Sequence, residues 1–170
     1  MSKSIKLNND LYLDSSGIVH NKTTLKELLE LNAITVGLSA NTTFNITSAW
    51  SYANVTFNKT IRNFGTKLSL SNNGIKIGKG VNHVRVTGSA MLNGIANGDM
   101  YIALKHNSSV LAESYYRPSN STYYGTITLP NQIISVTEGD MIYMSYGAGA
   151  TGSLKIAGSN YTTFTVEVID

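Results

Sequence analysis

The stretch Val136-Thr137-Glu138-Gly139-Asp140-Met141-Ile142-Tyr143-Met144 decides the fold class. Glu138-Gly139-Asp140 has turn chemistry, a glycine that tolerates positive φ beside an aspartate that accepts turn amides. Ile142, Met144 and Tyr146 then recur at the two-residue period of a strand with one buried face. The same unit repeats on either side. Toward the C-terminus, Phe164, Val166 and Val168 alternate as a closing strand. Toward the N-terminus lie Ile127 and Leu129, then Met100, Ile102 and Leu104, then Val84 and Val86, Ile75 and Ile77, Leu68 and Leu70, and Val55 and Phe57. Turn clusters part them: Ser71-Asn72-Asn73-Gly74, Gly78-Lys79-Gly80, Asn97-Gly98-Asp99, His106-Asn107-Ser108 and Gly147-Ala148-Gly149. No helical crossover pattern intervenes. The chain therefore reads as mainly β, about eight to ten short strands in an antiparallel β-sandwich.

Composition agrees and excludes several functions. The 170 residues suffice for one domain with a real core. Charged residues make up 14%, against roughly 25% in ordinary soluble domains. Asn, Ser and Thr fill the difference, 55 residues in all. Thirteen Lys and Arg against ten Asp and Glu is too small an excess for a nucleic-acid groove. The absence of cysteine excludes thiol catalysis, cysteine-ligated zinc and a disulfide framework. The opening residues lack the apolar core of a secretion signal, so the expectation is a chain made in a cytoplasm and not exported by its own signal. No uncharged stretch is apolar enough to insert in a membrane. The eight Asn-x-Ser/Thr sequons are then read as a consequence of composition.

Residues 1–32 differ from residues 33–170. Ile5 and Leu7, the turn Asn8-Asn9-Asp10, and Leu11 and Leu13 predict a short hairpin. Thr24 and Glu27 have capping-box spacing, and Leu25, Leu28 and Leu29 follow on one helical face. A helix of about two turns is too short to stand alone, so these leucines need a partner, either the main domain or copies of themselves. The division expected is an attachment and trimerisation segment over 1–32 and a head domain over 33–170.

The order of motifs carries a resemblance. Val55-Thr56-Phe57, Phe64-Gly65, Gly74-Ile75-Lys76-Ile77, Val84-Arg85-Val86-Thr87-Gly88, the Asp99–Asn107 strand and turn, Gly139-Asp140 with its strand, and Phe164–Val168 follow one another. This succession resembles the jelly-roll of the tumour necrosis factor and complement globular-head superfamily, over roughly residues 50–170. The stretch Lys6–Asn21, followed by Leu25, Leu28 and Leu29, is similar to the N-terminal segment of phage tail and minor structural proteins. Together they resemble phage fibre or receptor-binding proteins. That resemblance implies a homotrimeric jelly-roll head carried on the virion surface by other tail, baseplate or capsid proteins.

Catalytic chemistry finds little footing. The carboxylates of the head, apart from those at its C-terminal end, are Asp99, Glu113, Glu138 and Asp140. Asp99 and Asp140 each follow a glycine and read as acceptors of turn amides. His20, His83 and His106 have no metal-ligand spacing, and His83 is expected on a solvent face. No phosphate loop or nucleophile elbow is present. No enzyme activity, cofactor or metal is expected. Residues 31–98 hold six basic groups and no acid, which suggests a mildly positive face.

Aromatics are the better clue. The four phenylalanines read as core. Tyr115, Tyr116 and Arg117 lead into the polar stretch Pro118-Ser119-Asn120-Ser121-Thr122, and Tyr123 and Tyr124 leave it. Trp50 and Tyr52 stand in another polar stretch. Rings with polar edges stack on sugar C–H faces while neighbouring Asn, Ser and Arg bond hydroxyls, and Arg117 offers a fork to phosphate or carboxylate. The same residues suit a subunit interface. The expectation is a bacteriophage virion protein, a tail fibre or baseplate tip. It binds a bacterial surface glycan or wall polymer without catalysis, through Trp50, Tyr52, Tyr115, Tyr116, Arg117, Tyr123 and Tyr124. A capsid head-fibre or decoration protein and a wall-polysaccharide depolymerase are the alternatives.

Overall fold

A computed structural model describes residues 32–169 throughout and, before them, the strand backbones of β1 (Ile5–Lys6), β2 (Leu11–Leu13) and β3 (Val19–Asn21). The chain divides into two compact units, residues 1–31 and 32–170. In the first, β1 pairs antiparallel with β2, Ile5 opposite Leu13, and β2 pairs with β3, Leu11 opposite Asn21. The expected hairpin is present and gains a third strand. The expected helix with Leu25, Leu28 and Leu29 lies outside the described residues.

The second unit is all strand and turn among its described residues. Its strands are β4 (Ala33–Gly37), β5 (Thr42–Ile46), β6 (Ala53–Asn54), β7 (Lys59–Phe64), β8 (Leu68–Ser71), β9 (Gly74–Ile77) and β10 (His83–Asn93). There follow β11 (Met100–His106), β12 (Ser109–Tyr116), β13 (Gly125–Thr128), β14 (Gln132–Ser135), β15 (Met141–Ala148), β16 (Gly152–Ile156) and β17 (Thr163–Val168). They form two antiparallel sheets. The eight-stranded sheet runs β5-β16-β10-β17-β4-β7, with β13 and β14 on the other edge of β10. The six-stranded sheet runs β12-β11-β15-β9-β8, with β6 also on β15. The antiparallel sandwich read from the sequence is thus the fold observed.

Alternation builds the core. In β10, Val84, Val86, Ala90 and Leu92 are buried while His83 and Arg85 are exposed. Val166 and Phe164 of β17, Ile34 and Val36 of β4, and Ile102, Leu104, Ile142 and Met144 of the opposing sheet complete the layer between the sheets. Such burial is the main stabilising term, at about 25 cal/mol per Å² of apolar surface removed from water. Turns obey the expected chemistry. Asn72 and Asn73 join β8 to β9 with φ of 45° and 67°, the positive pair of a tight hairpin that asparagine tolerates. Asn107 (φ 53°) does the same between β11 and β12.

Five expectations need correction. The strands number fourteen in this unit, because irregular breaks split long edges; β13 and β14, for instance, both pair with β10. Val55 and Phe57 are buried but join no ladder; Phe57 stacks on Phe164 at 5.8 Å. Phe64 is exposed, because β7 is an edge strand whose side chains are mostly solvated. Gly147 and Ala148 belong to β15 rather than to a turn. The cations between residues 31 and 98 make no single face. Lys59, Arg62 and Arg85 sit on the eight-stranded sheet and Lys76 on the six-stranded one, and Arg85 pairs with Glu167 at 3.3 Å.

Candidate binding site

The site is built on the outer face of the six-stranded sheet. In β11, Met100, Ile102 and Leu104 point into the core, so Tyr101 points away from it. Yet Tyr101 is only 1% exposed. Its cover is aromatic. Trp50 stacks on it with centroids 5.9 Å apart and planes within 5°, and Tyr52 and Tyr115 tilt against it at 5.2 and 5.7 Å. Tyr115 is placed by the ladder, directly opposite Tyr101 in β12. Trp50 and Tyr52 arrive on the connection between β5 and β6, which folds over the sheet.

Two glycines and one strained residue allow that approach. A Cβ on Gly147 would lie 2.2 Å from the Ser51 carbonyl oxygen, and one on Gly149 would lie 2.7 Å from the Trp50 ring. The Tyr101 hydroxyl donates to the Ser51 carbonyl at 2.8 Å, and the Trp50 N–H donates to the Ala148 carbonyl at 2.8 Å. Trp50 itself has φ 59°. A bulky side chain in that region costs about 1–3 kcal/mol, and such strain concentrates at functional sites. The result is a raised set of rings: Trp50 is 56% exposed, Tyr115 53%, and Tyr52 partly exposed beside them.

Glu113 ties the rims together. Its carboxylate accepts from the hydroxyls of both Tyr52 and Tyr115, fixing the two rings relative to each other. The same carboxylate raises the Tyr115 pKa above the usual phenol value, first through this hydrogen bond, so the hydroxyl stays protonated. The platform thus presents three ring faces and one anchored carboxylate, the equipment for stacking and hydroxyl recognition.

The structure unites the two aromatic stretches only in part. Trp50, Tyr52 and Tyr115 come together. Tyr116, one residue on, turns inward and packs on the core, its ring lying over Gly125. The guanidinium of Arg117 is not a free fork: Nε and Nη2 each donate to Asp99 at 2.7 Å. Asp99 correspondingly accepts this pair rather than a turn amide. Tyr123 and Tyr124 are exposed but stand on the 118–124 loop, apart from the Tyr101 cluster. Pro118 is buried, and its carbonyl accepts from Asn97 N–H at 2.9 Å.

Tyr101, Glu113, Gly147 and Gly149 were not among the expected site residues. A signal for Tyr101 existed: the alternation that sends Met100, Ile102 and Leu104 inward sends it outward. The glycines carried none, because nothing local says that residue 50 crosses residue 149.

No protein-family model matches the chain. No curated protein matches it in sequence. Solved structures do match in shape. A crystal structure of murine APRIL aligns with a TM-score of 0.60 at 10% identity, covering 82% of this chain and 100% of that one. The structure of Eiger TNF from S. frugiperda aligns with a TM-score of 0.62 at 8% identity, covering 83% of this chain and 94% of that one. At such identities the likeness shows the fold alone. The second unit has a tumour necrosis factor-like jelly-roll fold.

Proposed function

We propose that this chain is the homotrimeric receptor-binding head of a bacteriophage virion protein, a tail fibre or baseplate tip, that holds a bacterial surface glycan without chemistry. The observation that carries the binding role is the platform itself: Trp50, Tyr52 and Tyr115 are exposed, ordered around Tyr101 and clamped by Glu113. Large rings held rigid at a surface lose little entropy on binding. The nearby carboxylates support binding over catalysis, since Glu113 is engaged by two phenols and Asp99 by Arg117. Trimer formation is supported by the jelly-roll and by the outer face of the eight-stranded sheet, where Thr35, Thr87, Ser89, Thr163 and Thr165 form a polar stretch flanked by Arg62 and by the Arg85–Glu167 pair. Three heads per particle site turn weak single contacts into firm attachment. The virion location rests on the resemblance of residues 6–29 to phage structural proteins.

A glycan array combined with whole-cell binding tests the reading. The intact protein should bind a defined set of bacterial glycans, and Trp50→Ala should weaken cell binding by about 30-fold, the effect of losing a central aromatic anchor. Cell binding unchanged in Trp50→Ala and Tyr115→Ala would refute the platform as the receptor site.

A further inference from the structure

We infer that a second groove, on the eight-stranded sheet, binds a sugar or polyol residue that bears an acidic group. The ladder between β10 and β16 sets Leu92 opposite Ile156 and Asn93 opposite Lys155. Leu92 and Ile156 are in the core, so Asn93 and Lys155 face outward together. Lys155 is exposed, as that position implies. Asn93 is not; it is 6% exposed, because the 118–124 loop lies over it.

That loop is held in place. Gly94 N–H donates to the Ser121 carbonyl at 3.0 Å, and Asn93 Nδ2 donates to the Thr122 carbonyl at 3.4 Å. Asn120 Oδ1 accepts from both the N–H and the hydroxyl of Thr122 at 2.9 Å. Gly94, at φ 113°, brings the chain so close to β16 that a Cβ would lie 2.1 Å from the Ser153 carbonyl oxygen. Between loop and strand remains a groove of about 480 Å³, lined by Asn93, Ser121, Thr122, Tyr124, Ser153 and Lys155 along with Gly94. That size falls in the roughly 300–1,000 Å³ range of small-ligand sites.

Three features define the occupant. The Asn93 Oδ1 atom is buried without a partner, the one such side-chain atom among the described residues, and it calls for a hydroxyl or amide donor. Ser121, Thr122 and Ser153 add hydroxyls, and the exposed Tyr124 ring offers a face for C–H stacking. Lys155 is the one charge in the lining, with no carboxylate to neutralise it there. A hydroxylated anion satisfies all three; a neutral sugar leaves Lys155 unused. The acid group is either a phosphate on a polyol chain or a uronate carboxylate. This groove does not rest on the aromatic platform and uses none of its residues.

Calorimetric titration of the full chain tests this with three probes: a poly(glycerol phosphate) oligomer, an oligogalacturonate and neutral dextran. At least one anionic probe should bind more tightly than dextran, and the preferred one identifies the acid group. Lys155→Gln should weaken that binding about ten-fold, the worth of one charge-assisted hydrogen bond. Tyr124→Ala should also weaken it, whereas Lys155→Arg should retain it. Trp50→Ala, which disables the platform, should leave it unchanged, so failure of either site is separable from failure of the other. Binding of neither anionic probe, equal binding of dextran, or titrations unaltered by Lys155→Gln or Tyr124→Ala would overturn the inference.

Discussion

Tyr101 and Tyr115 stand directly opposite each other across the β11–β12 ladder, their rings 5.7 Å apart, yet one is buried and the other half exposed. The difference comes from the residue 48–52 segment, which covers Tyr101 and stops short of Tyr115. Tyr101 is therefore the floor on which the exposed rings rest. Tyr101→Ala should destabilise the head by about 3 kcal/mol, in the range for truncating a buried aromatic. Tyr101→Phe removes only the bond to Ser51 and should cost about 1 kcal/mol. Trp50 is the chain's single tryptophan, so its fluorescence reports the platform directly. In Tyr101→Ala its emission should shift to the red; an unchanged spectrum would mean that the stack contributes nothing to its position.

Gly147 offers a way to disturb the platform while sparing the core. An added Cβ meets the Ser51 carbonyl and the Tyr101 hydroxyl, both on the outer side of the sheet. Gly147→Ala should push the 48–52 segment outward. Glycan binding should fall by about ten-fold or more, which corresponds to about 1.4 kcal/mol. The protein should still melt cooperatively. Wild-type affinity in Gly147→Ala would show that the segment adjusts without cost to the ligand.

The legible part of this molecule is the part governed by period two. Val84, Val86, Ile102, Leu104, Ile142, Met144, Phe164 and Val166 are core, as their alternation implies. The hairpin at Asn72-Asn73 was legible because asparagine and glycine announce positive φ. What was illegible is long-range. Trp50 and Tyr115 are far apart in sequence, and only the path of the β5–β6 connection across β15 brings them together. Arg117 has no visible partner in the sequence, because Asp99 follows a glycine and carries the signature of an acceptor within its own turn. Gly147 and Gly149 imitate a turn locally, but Gly147 lies in a strand and both make room for residues about a hundred positions earlier.

Acid should unlatch one end of the sandwich. Asp140 accepts from Asn107 Nδ2 at 2.9 Å, from Thr137 N–H at 2.9 Å, and lies 2.8 Å from His106 Nε2. These bonds, the one from Asn107 foremost, hold its carboxyl well below the ordinary carboxylate range. A carboxylate whose pKa is lower folded than unfolded contributes stability above the unfolded value, and loses it as pH falls through the folded one. Melting temperature should therefore be steady at neutral pH and decline below about pH 4. Asp140→Asn should lower it at pH 7, by about 1–3 kcal/mol of stability, and flatten the decline. Parallel acid profiles in the two proteins would show that Asp140 is not the group responsible.

Assembly should depend on Ile133. It sits in β14 opposite Arg85 of β10, on the outward side, since its neighbour Ile134 points into the core. At 61% exposure it is the most exposed of the large apolar side chains among the described residues. Directly across the ladder from it Arg85 is paired with Glu167 at 3.3 Å; farther over β10, β17 and β4 the outward positions are threonine and serine, and Thr35 and Thr165 spend their hydroxyls on each other at 2.9 Å. With the Arg85 charge already matched by Glu167, the isoleucine beside it is the apolar surface that gains by leaving water and can drive association. Burying its side chain contributes about 1.5–3 kcal/mol per contact, and a closed trimer repeats the contact at each interface. Light scattering at micromolar concentration should give three times the chain mass for the wild type. Ile133→Lys places a charge in each interface and should shift the assembly toward monomer, with a dissociation midpoint raised by at least about ten-fold. The variant's own melting curve at monomer concentrations should match the wild type's, because the substituted side chain is solvated in the isolated head. A wild-type chain that stays monomeric at every concentration refutes the trimer; a trimer indifferent to Ile133→Lys places the interface on another face.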